Sequence, residues 1–419
     1  MKDIQSFLKK INIHPDQTDI DQTAESIMDE MKKGLEGENS SLRMLETYLS
    51  AEGSAPENTP VIAIDAGGTN LRTGLVSFKN GAPVLSNFSK TPVPGSEGEV
   101  SADEFFSALA DKVLPLTEKS DIIGFCFSYP AEILPNRDGR IIQLNKELRV
   151  SGAQGAVIGE SLIKKLRERG ALKPFRFTLL NDTTASLMGG LAGGSISSCD
   201  GLAGLILGTG FNTCYLERGE KIKKLQNADN MIINCESGCF SLPFRGEPDR
   251  LTDAESAIGG DHLLEKMLSG AYMGQLASNT ARLAEREGLL SDAFSNFAPF
   301  TAMELDDFLR GADNRISKMC SGDDRENLSA IIDALNERSA RLVCANIQAL
   351  CLWCDGGKSP DSPFCVVAEG STFYNSLLFR TKLEALLKSH LEKTHGRYAV
   401  CLRAEDATMT GTALAALLN

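Results

Sequence analysis

No apolar run in the 419 residues comes near the roughly 20 residues that a membrane-crossing helix needs. The N-terminus carries Lys2 and Asp3 but no apolar stretch, so no signal peptide is expected. Positive charge is also short. Lys and Arg number 43 against 56 Asp and Glu, which leaves a net charge of −13. That deficit argues against general affinity for nucleic acid and against binding to anionic membranes. Paired metal-type cysteines are missing as well. Cys351-Leu352-Trp353-Cys354 has no second pair and no neighbouring histidine, and its apolar helical setting reads as a packed helix face. The odd total of 11 cysteines, scattered through apolar runs around Cys126, Cys214, Cys344 and Cys365, suits reduced, buried thiols in the cytoplasm.

The common nucleotide signatures are incomplete too. Gly356-Gly357-Lys358-Ser359 looks like the tail of a P-loop, but Leu352 stands where the first glycine is required, so a surface loop is expected. Gly208-Thr209-Gly210 lacks the third glycine of a dinucleotide fingerprint, and no protein-kinase catalytic loop is present.

What is present is an ordinary globular composition, 42% hydrophobic and 24% charged. The chain is too long for one compact core, so two domains are expected. Residues 1–18 are polar and read as loosely fixed. A helix follows, with Asp21 or Thr23 near its start, with Ala24, Ile27, Met28, Met31 and Leu35 on one face, and with Gly34 and Gly37 at its end. A short helix is predicted through Leu42, Met44, Leu45, Tyr48 and Leu49, then a turn-rich linker over 50–60. Further helices are predicted over 101–119, 155–168, much of 261–355 and the C-terminus from Asp406. The loop from Asn136 to Lys146 has the length of a binding loop. Gly189 to Gly194 reads as flexible.

The most informative stretch runs from Val61 to Val76. An apolar, β-branched run ends in Asp65-Ala66-Gly67-Gly68-Thr69-Asn70, and a second apolar run follows. Adjacent glycines let a turn take positive φ and leave backbone N–H groups open to an anion. A carboxylate at the strand end is placed to hold hydrated Mg²⁺. Read alone, the stretch fits an ordinary Gly-Gly hairpin equally well. The same logic recurs, however. Phe177-Thr178-Leu179-Leu180 leads into Asn181-Asp182-Thr183, and Leu205-Ile206-Leu207 leads into Gly208-Thr209-Gly210. Val366-Val367-Ala368 leads into Glu369-Gly370-Ser371. Ligands gather beyond the carboxyl ends of strands in open α/β sheets, so these turns are expected to face one cleft. One acid would order Mg²⁺ and the other accept a proton, which suits phosphoryl transfer to an alcohol.

Asp65 to Arg72 also resembles the first phosphate motif, Asp-x-Gly-Gly-Thr-Asn-x-Arg, of the sugar-kinase, Hsp70 and actin superfamily. More specifically, residues 20–419 resemble a hexokinase of the eukaryotic type, with motifs in collinear order. Phe125-Cys126-Phe127-Ser128-Tyr129-Pro130 is similar to the family's Phe-x-Phe-Ser-Phe-Pro, and Leu180-Asn181-Asp182-Thr183 to Val-Asn-Asp-Thr. Gly208 to Tyr215 is similar to Gly-Thr-Gly-Ser-Asn-Ala-Cys-Tyr, and Ile233-Asn234-Cys235-Glu236-Ser237-Gly238 to Ile-Asn-x-Glu-x-Gly. Leu264 to Gly274 and Glu287-Gly288-Leu289-Leu290 also match.

The resemblance implies an α/β, two-domain actin-like ATPase (ribonuclease H-like) fold with an interdomain cleft. Residues 1–54 and 185–405 would form the large domain, and 55–184 with 406–419 the small one. It implies ATP-dependent phosphorylation of a hexose at its 6-hydroxyl, with glucose first and fructose or mannose as further candidates. The cofactors would be ATP and Mg²⁺, and the enzyme a cytoplasmic monomer or homodimer. Asp182 would be the base, with Lys146 beside it. Asp65 would hold hydrated Mg²⁺. Gly67, Gly68, Thr69 and Asn70 would form the first phosphate loop, supported by Arg72. Gly208, Thr209 and Gly210 would hold the nucleotide phosphates, and Gly370 and Ser371 the adenosine. Ser128, Asn145, Lys146, Asn181, Asn234 and Glu287 would bind sugar hydroxyls.

Three departures stand out. The family's Trp-Thr-Lys-Gly-Phe is Leu144-Asn145-Lys146-Glu147-Leu148 here. Its Val-Asp-Glu-x-Ser is Thr252-Asp253-Ala254-Glu255-Ser256, so the acid is absent at its place, and Glu255 one residue on is either its replacement in the sugar site or a surface residue. Its Asn-Pro-Gly-Gln-Gln is Ile258-Gly259-Gly260-Asp261-His262. Two other readings remain open: a catalytically weak sugar sensor, and a kinase for a different sugar. The latter's zinc-binding His/Cys cluster is missing from the sequence.

Overall fold

The computed structural model describes residues 3–68, 70–144, 148–193 and 198–419. The strands of its two main sheets are, in chain order, β1 (Leu45–Glu46), β2 (Val61–Gly67), β3 (Asn70–Lys79), β4 (Ala82–Pro92), β5 (Ile122–Phe127) and β6 (Arg176–Leu180). After these come β7 (Leu202–Leu207), β8 (Phe211–Glu217), β9 (Met231–Asn234), β10 (Phe364–Glu369) and β11 (Ala399–Leu402). One sheet has the order β6-β5-β2-β3-β4, the other β1-β9-β8-β7-β10-β11. Each is built on an antiparallel hairpin, β2–β3 or β7–β8, flanked on one side by parallel strands. This is the mixed α/β architecture that the sequence implied.

Two helices, Asp182–Ala192 and Ala407–Leu418, lie between the sheets. Their apolar residues share one core cluster with Ala63 and Ile122 of the first sheet and with Cys214 and Ile232 of the second. Only small residues allow the two helices to cross so closely. A Cβ on Gly189 would sit 2.7 Å from Ala407 Cα, and one on Gly411 would sit 2.5 Å from Gly189 N. The run from Gly189 is therefore helical packing surface up to Ala192 and not a flexible hinge. The rest of that predicted run, from Gly194, lies outside the described residues.

Other local expectations also needed correction. Residues 4–10 form a helix, and Phe7, Leu8, Ile11 and Ile13 are buried against the helical segment 273–335. Four apolar residues spaced among lysines are too sparse to register as a core face in the sequence. Leu42 to Leu49 is not helical: Leu45–Glu46 pairs antiparallel with β9, so an edge-strand slot overrides helix propensity. Cys199 and Cys365 form a disulfide, against the expectation that all thiols are reduced. Cys365 lies in β10 opposite Leu202, a parallel pairing that spacing in the sequence does not reveal. The remaining nine cysteines are free. Among the described residues no helix is long and apolar enough to cross a membrane.

Candidate active site

β2 is buried along its length, and Asp65 near its end is 5% exposed. Strand pairing sets its partner. Asp65 stands opposite Arg72 on β3, whose Nη1 donates to Asp65 Oδ2 at 3.2 Å. Thr408, in the first turn of the C-terminal helix, donates to the same oxygen at 3.0 Å. Burial leaves the Asp65 carboxyl raised above the ordinary value, with the Arg72 charge, Thr408 and Cys126 offsetting part of the shift. The turn that follows has the geometry its glycines suggest. Gly68 has φ +57°, and a Cβ on Gly67 would lie 3.0 Å from Ser128 Oγ. Tyr129 Oη donates to the Gly68 carbonyl at 2.5 Å, and Ser128 N to Ala66 O at 3.1 Å. Ser128, Gly67 and Asp65 are thereby held together.

The second carboxylate sits two strands away at the same sheet end. Asp65 is in register with Cys126, and Cys126 with Leu180. Strand spacing puts about 10 Å between β2 and β6. After Leu180, Asn181 caps the helix Asp182–Ala192, with its Oδ1 accepting from Thr184 N at 2.9 Å. Asp182 begins that helix, and its Oδ1 accepts from Thr183 N at 2.8 Å. Among the described residues no ion pair neutralises it. Burial, together with the negative charges of Asp65 and Glu236, raises it to about 6.

Glu236 is a residue that sequence reasoning passed over. β9 ends at Asn234, and the chain then turns through Glu236 at φ +54°. That left-handed turn brings the Glu236 carboxylate back over the strand end, where Asn234 Nδ2 donates to its Oε1 at 2.7 Å. Asn212 Nδ2 donates to Asn234 Oδ1 at 2.8 Å, and Asn212 Oδ1 accepts from Thr213 N and Ser237 N. The Asn-x-Glu spacing was the available signal. A positive φ at a glutamate, which lets i and i+2 side chains meet, is not readable from it.

The 208–210 turn is built by three segments. The Gly208 carbonyl accepts from Gly270 N and from Thr372 Oγ1, both at 2.8 Å. Phe211 N donates to Glu265 Oε2 at 2.9 Å, and a Cβ on Gly210 would come within 2.7 Å of that oxygen. Gly370 has φ +113°, and a Cβ there would lie 2.8 Å from Gly208 N. The parallel pairing of β7 with β10 thus stacks the 208–210 turn on the 370–371 turn. Beside them lies a cavity of about 590 Å³, lined by Thr209, Asn336, Ser371, Thr372 and Phe379 among others.

Other expected site residues lie elsewhere. Glu255 is exposed at the end of its helix, and its Oε2 accepts from Gln275 Nε2 at 2.6 Å and Asn279 Nδ2 at 2.9 Å. Glu287 pairs with Lys10 at 2.7 Å. Thr69, Asn145 and Lys146 lie outside the described residues.

Two family models described as hexokinase match residues 202–418 and residues 3–191. Hexokinase-1 of Oryza sativa subsp. japonica is 28% identical over 436 residues, covering 94% of this chain and 86% of that protein. Hexokinase-3 of Rattus norvegicus is 31% identical over 258 residues, which are 59% of this chain and 27% of the rat protein. A solved structure of the hexokinase from Schistosoma mansoni complexed with glucose superposes with a TM-score of 0.78 at 21% identity, covering 99% of this chain and 100% of that one. With a family match over more than half its length on top of this fold, the chain belongs to the hexokinase family.

Proposed function

We infer that this enzyme transfers the γ-phosphoryl group of ATP to the 6-hydroxyl of a hexose, glucose first. The observation that carries the reading is the placing of two carboxylates, Asp65 and Asp182, at one end of one sheet with different partners. A buried carboxyl raised to about 6 is suited to accept a hydroxyl proton near neutral pH. A buried carboxylate held by Arg72 and Thr408 is suited to a hydrated cation.

In this reading Asp182 takes the proton of the 6-hydroxyl as that oxygen attacks phosphorus. Ser128, Asn181 and Asn234 orient the sugar, and Glu236 fixes the amide of Asn234. Asn145 and Lys146 complete the pocket from the loop before residue 148. Glu255 and Glu287 join it only if their present partners are exchanged on closure. Gly67, Gly68, Thr69 and Asn70 meet the phosphates from one side, and Gly208, Thr209 and Gly210 from the other, with Gly370 and Ser371 against the adenosine. Mg²⁺, when bound through water at Asp65, neutralises charge on the phosphates. We further place the enzyme in the cytoplasm, as a monomer or homodimer.

The test is coupled ADP formation across glucose, fructose, mannose and unrelated sugars. Saturable, hexose-dependent turnover that disappears in Asp182→Asn supports the reading. Sugar binding without turnover in the wild-type chain would instead identify a sensor.

A further inference from the structure

We propose that Asp21, Gln348, His390 and His395 form a binding site for one zinc-class divalent cation, far in sequence from the catalytic groups. The chain has only four histidines, and two of them converge here on one acid. His390 Nε2 lies 3.0 Å and His395 Nε2 2.7 Å from Asp21 Oδ1. Their ligand atoms all fall within 4.8 Å of one another. Asp21 is free for this because Asp19, not Asp21, caps the helix Ile20–Glu36.

Two independent features indicate a ligand and not a chance cluster. The first is backbone geometry. Residues five apart on an α-helix point about 140° away from each other. Here Leu387–Glu392 is a π-helical segment, whose i→i+5 bonding brings residue i+5 over residue i. Such segments are rare and concentrate at functional sites. His390 lies in that segment and His395 in the helical turn Lys393–His395 that follows it, and both side chains face the same carboxylate. The second is Gln348, 1% exposed on the long helix Asp324–Trp353. Its Nε2 sits 2.7 Å from Asp21 Oδ1 and 3.2 Å from His395 Nε2, while its Oε1 is buried without a partner. A half-turn of that amide exchanges the two atoms and aims the carbonyl oxygen at the cluster.

Cation binding needs no net redox or covalent change. Each imidazole carries its proton on Nδ1 in place of Nε2, which frees the Nε2 lone pair. The donors are then two imidazole nitrogens, one carboxylate oxygen and one amide oxygen. Four ligands with two nitrogens favour Zn²⁺ or Co²⁺ over Mg²⁺ or Ca²⁺, which prefer oxygen shells. The cation would staple three segments: the start of the helix Ile20–Glu36, the long helix, and the stretch 379–395 that follows the Gly370–Ser371 turn. A second cluster, Glu236, Cys239 and His262, has ligand atoms equally close together. Glu236 is already engaged by Asn234, and burial pushes the Cys239 thiol up to about 12, which disfavours the thiolate that a metal needs.

The test uses the full chain stripped with chelator, then titrated with Zn²⁺ against a chromophoric competitor and separately with Co²⁺. We expect one equivalent bound, visible Co²⁺ bands of tetrahedral type without a thiolate charge-transfer band, and a Zn²⁺-dependent rise in Tm. His395→Ala and Gln348→Leu should each weaken binding about 100-fold or more, since even groups that only support ligands cost 10–100-fold. His395→Gln, checked for normal hexose phosphorylation, serves if the alanine variant misfolds. Absence of a bound equivalent, affinity unchanged in the histidine variants, or a thiolate band tracing the cation to Cys239 would each overturn the proposal.

Discussion

Asp65 and Asp182 occupy equivalent places, each at the carboxyl end of a buried strand in one sheet, yet their surroundings differ in kind. Asp65 faces a guanidinium and a hydroxyl. Among the described residues Asp182 accepts from a backbone N–H and a neighbouring hydroxyl, and burial with two further carboxylates raises it. Desolvation acts on both, so the partner decides the outcome. The Arg72 charge offsets part of the burial at Asp65, while among the described residues no cation does so at Asp182, which suits the first to hold a cation and the second to pick up a proton.

The sharpest way to break that contrast is Asp182→Asn. Turnover should fall on the order of 10²-fold or more with hexose affinity largely kept. Near-normal turnover would move the base elsewhere. In the wild-type enzyme, kcat/KM should fall as pH drops through about 6, the value of Asp182. The same group has a stability signature. Its folded value lies above the ordinary 3.8, so between 3.8 and 6 the unfolded chain gives up its proton first, and stability declines as pH rises through that window. Asp182→Asn should therefore be more stable than wild type at neutral pH, by about 1–2 kcal/mol after allowance for partial exposure. Equal or lower urea midpoints would show that the burial cost is compensated.

Asp65→Asn tests the other half of the comparison. The Mg²⁺ concentration for half-maximal rate should rise about 10–100-fold, the equivalent of a hydrogen bond to a charged group, with the pH limb near 6 preserved. Loss of that limb would mean that the two acids titrate as one unit.

The two phosphate turns belong to different sheets, so bringing them together should compact the molecule. Small-angle scattering at saturating glucose should show a smaller radius of gyration than without sugar. An unchanged radius would argue for a preformed site. The smallest effect is expected at Glu255, whose carboxylate is held by Gln275 and Asn279. Glu255→Gln should change the glucose KM less than about twofold and lower stability by about 0.5–1.5 kcal/mol. A tenfold rise in KM would show that Glu255 turns into the pocket after all.

Much of the candidate site was legible because strand-end chemistry is local. An apolar run followed by an acid, glycines and small polar residues predicts both the buried strand and the turn, so Asp65, Asp182 and Gly208 could be found without a neighbour in view. Glu236 could not, because its role depends on one backbone angle. Thr408 could not either, because it reaches Asp65 across 343 positions of sequence.

The sequence by itself determined the strand–turn stretches that carry Asp65, Asp182 and Gly208, and the family, since these follow from short-range pattern and residue chemistry. Only the tertiary structure decided which partner each carboxylate received, that the Gly189 run is a helix crossing, that the N-terminal residues pack as a helix, and that two histidines meet at Asp21. Each of these is a contact between segments distant in the chain, or a backbone choice that such contacts stabilise, and neither leaves a periodic trace in the order of residues.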